Sequence, residues 1–209
     1  MQCQTQVILI LINKGLIYTC GGSSDNTMNT FTVIDTCSLK TWKLSSMITR
    51  REEFGLALGP DSKLYAIGGF DGTKTISLVE RYNFQTKTWE QLANLNVARR
   101  SFCAVALPDG VYALGGYDGS KYLDTVERYD ASKNRWVFVP KMGKARCAFA
   151  AITTMNCRYI FTMGGYNGEP LNTVERYDVV QKGWEFISLM KNKRCMHGAV
   201  VTSAYSNVS

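Results

Sequence analysis

The sequence predicts an all-β propeller, with four blades of four antiparallel strands followed by part of another blade. Gly-Gly pairs recur at spacings of 47, 47 and 49 residues, beginning at Gly21, Gly68, Gly115 and Gly164. The four tryptophans recur at spacings of 47, 47 and 48 residues, and Val-Glu-Arg-Tyr occurs three times, each ten residues before a tryptophan. Because a fixed period of this length marks a repeat architecture, we expect one structural unit per period.

Each period contains the patterns of four short strands. In the third unit, apolar runs at 103–107 and 111–114 flank Pro-Asp-Gly, and Asp-Gly between apolar runs predicts a hairpin. The Gly-Gly pair ends the second strand, where a bulky side chain would prevent close backbone approach. The alternating segment Asp-Thr-Val-Glu-Arg-Tyr-Asp predicts the third strand, and Trp136 begins the fourth. The near-continuous apolar second strands predict burial on both faces, as in stacked sheets.

We expect a single domain, with units at about 5–48, 49–96, 97–143 and 144–191 and the start of a further unit at 192–209. The hydrophobic strand, Gly-Gly, tyrosine, tryptophan and following arginine resemble the kelch repeat. Units two to four, which begin Gly-Gly-Phe-Asp-Gly, Gly-Gly-Tyr-Asp-Gly and Gly-Gly-Tyr-Asn-Gly, are most similar to the propellers of BTB-kelch proteins. Since kelch propellers most often have six blades, the resemblance implies an incomplete six-bladed kelch-type propeller. A closed four-bladed ring, with the last segment completing the first blade, is the alternative.

The first unit departs from this pattern. It has Gly-Gly-Ser-Ser-Asp in place of the aromatic-Asp-Gly segment, and no arginine precedes its first strand. Thr-Val-Ile-Asp at 32–35 takes the place of Val-Glu-Arg-Tyr. The contribution of this unit to any shared site is therefore doubtful.

Composition excludes several classes of protein. The longest apolar run, 7–12, predicts a strand, because it is far shorter than the roughly 20 residues that span a bilayer. An atypical export signal is the alternative, although no positive side chain precedes the run. Seven cysteines without a Cys-x-x-Cys pair indicate reduced thiols rather than a disulfide scaffold or zinc site, and hence a cytoplasmic protein. The net charge of +7 indicates an acidic partner, without the basic stripe of a nucleic-acid-binding protein.

The sequence offers no catalytic constellation. The only histidine, His197, lies three residues after Arg194, in the phase that Phe54, Cys103 and Phe149 hold after their own arginines. We therefore expect a packed interior side chain. One histidine cannot build the copper site of the galactose-oxidase-like kelch enzymes, and no Walker-type phosphate loop follows a Gly-Gly pair. We expect a protein that is not an enzyme and that requires no cofactor or metal.

Charged residues recur at two places in the units. The Glu-Arg of each Val-Glu-Arg-Tyr, at 80–81, 127–128 and 175–176, is expected to pair between neighbouring strands or blades, since charges near a core persist only with partners. The arginine before each first strand has two interpretations. It either braces the junction between blades or contributes to binding.

Binding is predicted on one face of the propeller. In an up-and-down blade, the connections that follow the second and fourth strands emerge on the same face. The first set carries aromatic residues and lysines and the second carries arginines, a combination that suits an acidic peptide. In BTB-kelch relatives, substrates contact the residue after Gly-Gly, positions a few residues on, and the residue after the arginine; here the last includes Cys147 and Cys195. The candidate partner-binding residues are Phe70, Lys74, Thr75, Arg100, Ser101, Tyr117, Lys121, Tyr122, Arg146, Tyr166 and Arg194.

The resemblance implies a non-catalytic protein–protein interaction module, similar to the substrate-recognition propeller of a cullin-RING ubiquitin-ligase adaptor. Ubiquitin-ligase components would then be recruited through a domain outside this chain. The alternative is an actin-associated kelch scaffold that binds the side of a polymer. Neither interpretation involves nucleic acid or a membrane.

Overall fold

The computed structural model describes residues 8–12 and 15–201. They form four antiparallel sheets, and each sheet contains four strands that are consecutive along the chain. The prediction of an all-β fold with four-stranded blades is confirmed. In the described part of the chain, no helix is long and apolar enough to cross a membrane.

The four sheets correspond to the four predicted units. Blade one contains β1 (Ile8–Ile12), β2 (Leu16–Cys20), β3 (Phe31–Asp35) and β4 (Thr41–Lys43). Blade two contains β5 (Gly55–Leu58), β6 (Leu64–Ile67), β7 (Val79–Asn83) and β8 (Thr88–Leu92). Blade three contains β9 (Cys103–Leu107), β10 (Gly110–Leu114), β11 (Val126–Asp130) and β12 (Arg135–Val139). Blade four contains β13 (Ala150–Thr153), β14 (Tyr159–Met163), β15 (Thr173–Asp178) and β16 (Gly183–Leu189).

The first strands of the blades lie at the centre. β5 packs against β9, and β9 packs against β13. A cavity of about 420 Å³ opens among these strands and is also lined by the segment Ala199–Val201. Hydrophobic clusters fill the junctions between consecutive sheets, so that the second strands of blades two and three, β6 and β10, are covered on both faces. This burial explains the near-continuous apolar sequence of the second strands.

The tryptophan period has a structural cause. The indole Nε1 of Trp89 donates to the carbonyl oxygen of Ser45, which follows the last strand of blade one, at 2.8 Å. Trp136 and Trp184 make the equivalent bonds to the preceding blades, at 3.1 and 2.8 Å. Trp42, in blade one, is 43% exposed. Each of the three bonded tryptophans thus fastens one blade to the connection that leads out of the previous one.

The structure corrects the alignment of the first unit. Phe31 pairs with Cys20, directly before Gly21, as Val79 pairs with Ile67 directly before the next Gly-Gly pair. Phe-Thr-Val-Ile, rather than Thr-Val-Ile-Asp, therefore occupies the place of Val-Glu-Arg-Tyr. The connection after the first Gly-Gly pair is one residue shorter, which the spacing to tryptophan did not reveal.

His197 is half-buried in the last unit, and both of its ring nitrogens are enclosed, in line with the packed side chain that was predicted. Its Cε1 would lie 2.8 Å from a β-carbon on Gly164. The rings of Phe54, Phe102 and Phe149 hold the same place against Gly21, Gly68 and Gly115. The second member of this series is Phe102 and not Cys103, because Arg99 rather than Arg100 is the repeated arginine of its unit.

Candidate functional site

The repeated arginines lie inside the blade junctions. Arg51, Arg99 and Arg146 have no exposed surface. Each donates from Nη1 to the carbonyl oxygen of the first glycine in the following Gly-Gly pair, at 2.6 to 2.7 Å. Each also forms an ion pair from Nη2 to the glutamate of the following Val-Glu-Arg-Tyr segment. Of the two interpretations, the structure shows the bracing role for these three arginines.

This geometry corrects one candidate residue. Arg146 was expected on the binding face, but its side chain is enclosed and its ion pair with Glu175 is buried. Burial lowers the pKa of the Arg146 guanidinium, and the charge of Glu175 opposes that fall. A buried, paired side chain offers no atoms to a partner, so Arg146 is removed from the candidate site.

The arginine next to a bracing arginine has a different position. Arg100 forms a β-bridge with Tyr117, through bonds of 3.0 and 2.9 Å between their backbone atoms. Its guanidinium carbon lies 4.7 Å from the centre of the Phe70 ring and 5.5 Å from the centre of the Tyr117 ring. The connection after a fourth strand thus meets two of the connections after second strands on one face, as predicted.

Tyrosines continue this row of side chains towards blade four. The rings of Tyr117 and Tyr122 are 5.3 Å apart, and those of Tyr122 and Tyr166 are 5.8 Å apart. Burial and the neighbouring groups, including Tyr166, Cys147 and Tyr117, raise the pKa of Tyr122. We call the half-exposed set of Phe70, Arg100, Tyr117, Tyr122 and Tyr166 the aromatic row.

The two lysines of the predicted rim are exposed beside this row. Lys74 and Lys121 each end a tight loop whose aspartate is bound internally. Asp71 accepts hydrogen bonds from the hydroxyl of Thr73 and from two backbone amides, and these bonds lower its pKa. In residues 8–12 and 15–201 neither lysine forms an ion pair. Their charges therefore add to the positive potential of this face.

The remaining candidate residues lie at its borders. Thr75 forms a β-bridge with Phe70 and is half-buried. The hydroxyl of Ser101 donates to Glu53, so it is already engaged. Cys147 forms a β-bridge with Tyr166, and burial raises the pKa of its thiol to about 11, which makes it a weak nucleophile. Arg194 is exposed after the last strand of blade four and takes part in none of the three arginine–glutamate ion pairs of the blade junctions.

Sequence reasoning missed two residues on this face. Glu52 forms a β-bridge with Phe70, in the position that Arg100 holds against Tyr117. Glu53 lies next to it with a φ of 51°, a left-handed conformation that Ser101, with a φ of 51°, shares. The signal was available, because both glutamates directly follow the repeated arginine of their unit. They make the blade-two end of the row acidic, whereas Arg100 makes its middle basic.

The described residues contain no group of three or more histidine, cysteine, aspartate or glutamate side chains placed to hold a metal ion. The face presents a guanidinium, two lysines, aromatic rings, the carboxylates of Glu52 and Glu53 and hydrogen-bonding groups. Such a surface suits recognition of another molecule.

Comparisons with known proteins agree with this architecture. The family described as the KLHDC2/KLHL20/DRC7 Kelch-repeats domain matches residues 7–208. A solved structure titled "Structure of YjhT" is similar with a TM-score of 0.76 at 15% sequence identity, over 88% of this chain. The chain spans 65% of that structure. No curated protein sequence matches the chain.

Proposed function

Because this chain belongs to the kelch-repeat family, whose domains typically bind proteins, we propose that it is a non-catalytic protein-binding module. Its ligand is an acidic peptide segment of another protein, and the aromatic row is the binding surface. The observation that carries this proposal is the position of Arg100 between Phe70 and Tyr117.

The guanidinium of Arg100 is preorganised to bind an anion. The guanidinium carbon lies 4.7 and 5.5 Å from the centres of two rings, and these contacts restrict its rotamers, so less entropy is lost when a ligand binds. Within the described residues its N–H groups have no hydrogen-bond acceptor, and no carboxylate forms an ion pair with it. An arginine held in this way can form two parallel bonds to one carboxylate.

The tyrosines supply contact area around this cation. Tyr122 and Tyr166 are half-exposed, and tyrosine gives a large contact at a small cost in conformational entropy. Lys74 and Lys121 lie at the rim, where charges mainly accelerate the approach of an oppositely charged partner. The acidic pair Glu52 and Glu53 repels carboxylates at the blade-two end and thereby fixes the direction of an acidic segment.

The binding proposal is tested with a set of fluorescent acidic peptides and matched peptides in which Gln and Asn replace Glu and Asp. Arg100→Ala and Tyr117→Ala should each weaken binding of the acidic peptides by about tenfold or more, since a hydrogen bond to a charged group contributes about 1.5–3 kcal/mol. Arg50→Ala is the matched control, because Arg50 is exposed and its neighbour Arg51 is bound by its main chain to the loop of blade one, whose glycines are followed by Ser23 rather than by an aromatic residue. Equal losses in the Arg50 and Arg100 variants would show attraction to net charge alone and contradict the site.

We further propose that the bound protein is a substrate presented to a ubiquitin ligase, whose components are recruited through a domain outside this chain. The full-length protein should co-precipitate a cullin together with a client whose abundance rises when the ligase is inhibited. Co-sedimentation with actin filaments, unaffected by Tyr117→Ala, would instead support a cytoskeletal scaffold and contradict this assignment.

A further inference from the structure

Equivalent loops follow the Gly-Gly pairs of blades two, three and four, and each contains aspartate or asparagine followed by glycine. In blades two and three the side chain is an aspartate that closes its own loop. Oδ1 of Asp71 accepts from the amides of Thr73 and Lys74 and from the hydroxyl of Thr73, at 2.6 to 2.8 Å. Oδ1 of Asp118 accepts the equivalent three bonds at 2.8 to 3.0 Å. Both carboxylates are therefore held in place.

The loop of blade four contains an amide in place of this aspartate. Asn167 is the only asparagine in the sequence that is followed by glycine. Its loop is one residue shorter than the equivalent loops, because Glu169 alone stands where blade two has Thr73 and Lys74. In the part of the chain that the structure describes, the side-chain amide of Asn167 forms no hydrogen bond. The amide is therefore free to turn towards the backbone that follows it.

The backbone that follows this amide is open. Gly168 is exposed, with a φ of 112°. Apart from its chain neighbours, no atom of the described residues lies within 4 Å of the place that a β-carbon on Gly168 would take. At Gly72 and Gly119 the same place lies 3.1 and 3.6 Å from the threonines of the preceding blade, Thr27 and Thr75. The N–H of Gly168 has no acceptor among the described residues, so neither packing nor a hydrogen bond restrains this nitrogen.

We propose that Asn167 is a site of spontaneous deamidation. The backbone nitrogen of Gly168 attacks the side-chain carbonyl carbon of Asn167, and a C–N bond forms while the side-chain nitrogen leaves as ammonia. The proton of the attacking nitrogen passes to the leaving ammonia, so a cyclic imide remains. Water then adds to either carbonyl group of the imide and opens the ring, which leaves aspartate or isoaspartate at position 167. One water is consumed and one ammonia is released, so the reaction needs neither an enzyme nor an oxidant.

The product adds a negative charge to the predicted binding face at its blade-four end. Position 167 directly follows Tyr166, which belongs to the aromatic row. The neighbouring carboxylate of Glu169 already pairs with Lys193 at 2.7 Å. A further carboxylate repels an acidic partner that approaches this end of the row. On the function proposed above, on which this consequence rests, deamidation therefore lowers the affinity of an aged protein for acidic segments.

The site is tested by ageing the purified 209-residue protein at physiological temperature, at neutral and at mildly alkaline pH, followed by digestion and mass spectrometry. Residue 167 should gain the mass difference between an amide and an acid, as a pair of isomers, and faster at the higher pH because the deprotonated nitrogen is the attacking group. Asn172 is the control within the same molecule, and fragment ions distinguish the two positions. It precedes the β-branched Thr173 and its side chain donates to Met190 at 3.3 Å, so it should convert about tenfold more slowly or less.

Two comparisons test the structural reasoning. Gly168→Ala should slow the conversion about tenfold or more, because a β-carbon crowds the attacking nitrogen. The chain unfolded in guanidinium chloride should convert Asn167 at a rate within a few-fold of that in the folded protein, since the folded loop restrains neither group. The proposal is wrong if Asn167 converts no faster than Asn172, or if folding suppresses the conversion by an order of magnitude.

The consequence for binding is measured separately, with the acidic peptides described above. Asn167→Asp carries the charge of the product and should weaken binding by about two- to fivefold, the size expected of one exposed charge. Asn167→Gln keeps a neutral amide and should bind as the parent protein does. Equal affinities of the two variants, with acidic peptides still bound by the parent, would contradict this consequence. If no acidic peptide binds the parent, the proposed function fails, whereas the ageing experiment still decides whether residue 167 deamidates.

Discussion

Replacement of Arg99 by methionine is the sharpest test of how the blades are joined. The side chain of Arg99 makes four hydrogen bonds, to the carbonyls of Gly115 and Thr125, to the hydroxyl of Thr125 and to Glu127. Arg99→Met keeps an apolar chain of similar length but removes all four donors. It leaves Glu127, which has no exposed surface, without its counter-charge.

The expected loss of unfolding free energy is about 3 kcal/mol, at the lower end of the 3–5 kcal/mol found when one partner of a buried ion pair is removed. The lower end applies because Glu127 retains three N–H donors, the amide and side chain of Asn96 and the amide of Val97. Addition of Glu127→Gln should recover about 1–2 kcal/mol, since it removes the unpaired charge and keeps an acceptor. The rest of the loss persists, because the buried carbonyl oxygens still lack the donors of Arg99.

Urea unfolding followed by tryptophan fluorescence measures these differences. The control is Arg100→Met, next in sequence, which removes a half-exposed arginine and should change the free energy by no more than about 0.5 kcal/mol. The reasoning is refuted if the two arginine variants lose the same stability. It is also refuted if the effects of Arg99→Met and Glu127→Gln simply add.

Three further predictions concern backbone, histidine and thiols. Gly116→Ala should lower the free energy of unfolding by clearly more than the roughly 1–3 kcal/mol expected for a strained φ, because a β-carbon there would lie 2.7 Å from Phe102. Gly168→Ala is the control in the same urea assay. Gly168 has a similar φ and open space around it, so this variant should show the cost of the strained φ alone. His197→Phe should raise the thermal midpoint, since both ring nitrogens are buried and have no hydrogen-bond partner among the residues that the structure describes. In a Cys3→Ser background, a thiol reagent should label the exposed Cys37 quickly and Cys147 slowly, because burial raises the pKa of Cys147 to about 11.

The histidine prediction includes a pH dependence. Burial lowers the pKa of His197, and the charge of Arg194 lowers it further. The unfolded chain, with an imidazole pKa of about 6.5, then binds the proton before the folded chain does. Stability is therefore full above that pH and falls as the pH drops through 6.5 towards the lower folded pKa. His197→Phe should flatten this part of the curve; an unchanged slope would contradict a buried neutral histidine.

The repeat and its strands could be predicted from sequence because each depends on local chemistry. Asp-Gly turns, glycines at the end of a second strand and tryptophans in one phase recur wherever a blade needs them. The pairing of Glu80, Glu127 and Glu175 with neighbouring groups was also predictable, since buried charges require partners. Their actual partner, the arginine before each first strand, lies about 30 residues away and had two open interpretations.

The separation of adjacent arginines could not be predicted in the same way. Arg99 and Arg100 are identical in type and one residue apart, yet one is enclosed at a blade junction and the other is half-exposed beside the rings of Phe70 and Tyr117. In the third unit, the sequence pattern aligned Arg100 with the repeated arginines, although Arg99 holds that position in the structure. The pattern also placed Arg146 on the surface. Glu52 and Glu53 were missed for the same reason, because their position follows from the β-bridge to Phe70 and from a left-handed φ.

The sequence by itself determined the all-β class, the number of blades it encodes and the face on which variable loops emerge, because period and turn chemistry are local properties. Only the tertiary structure decided which cations are enclosed and which are exposed, since that depends on the stacking of one blade against the next. Arg194 shows the difference: its sequence context matches that of Arg51, Arg99 and Arg146, yet it is exposed whereas they are enclosed.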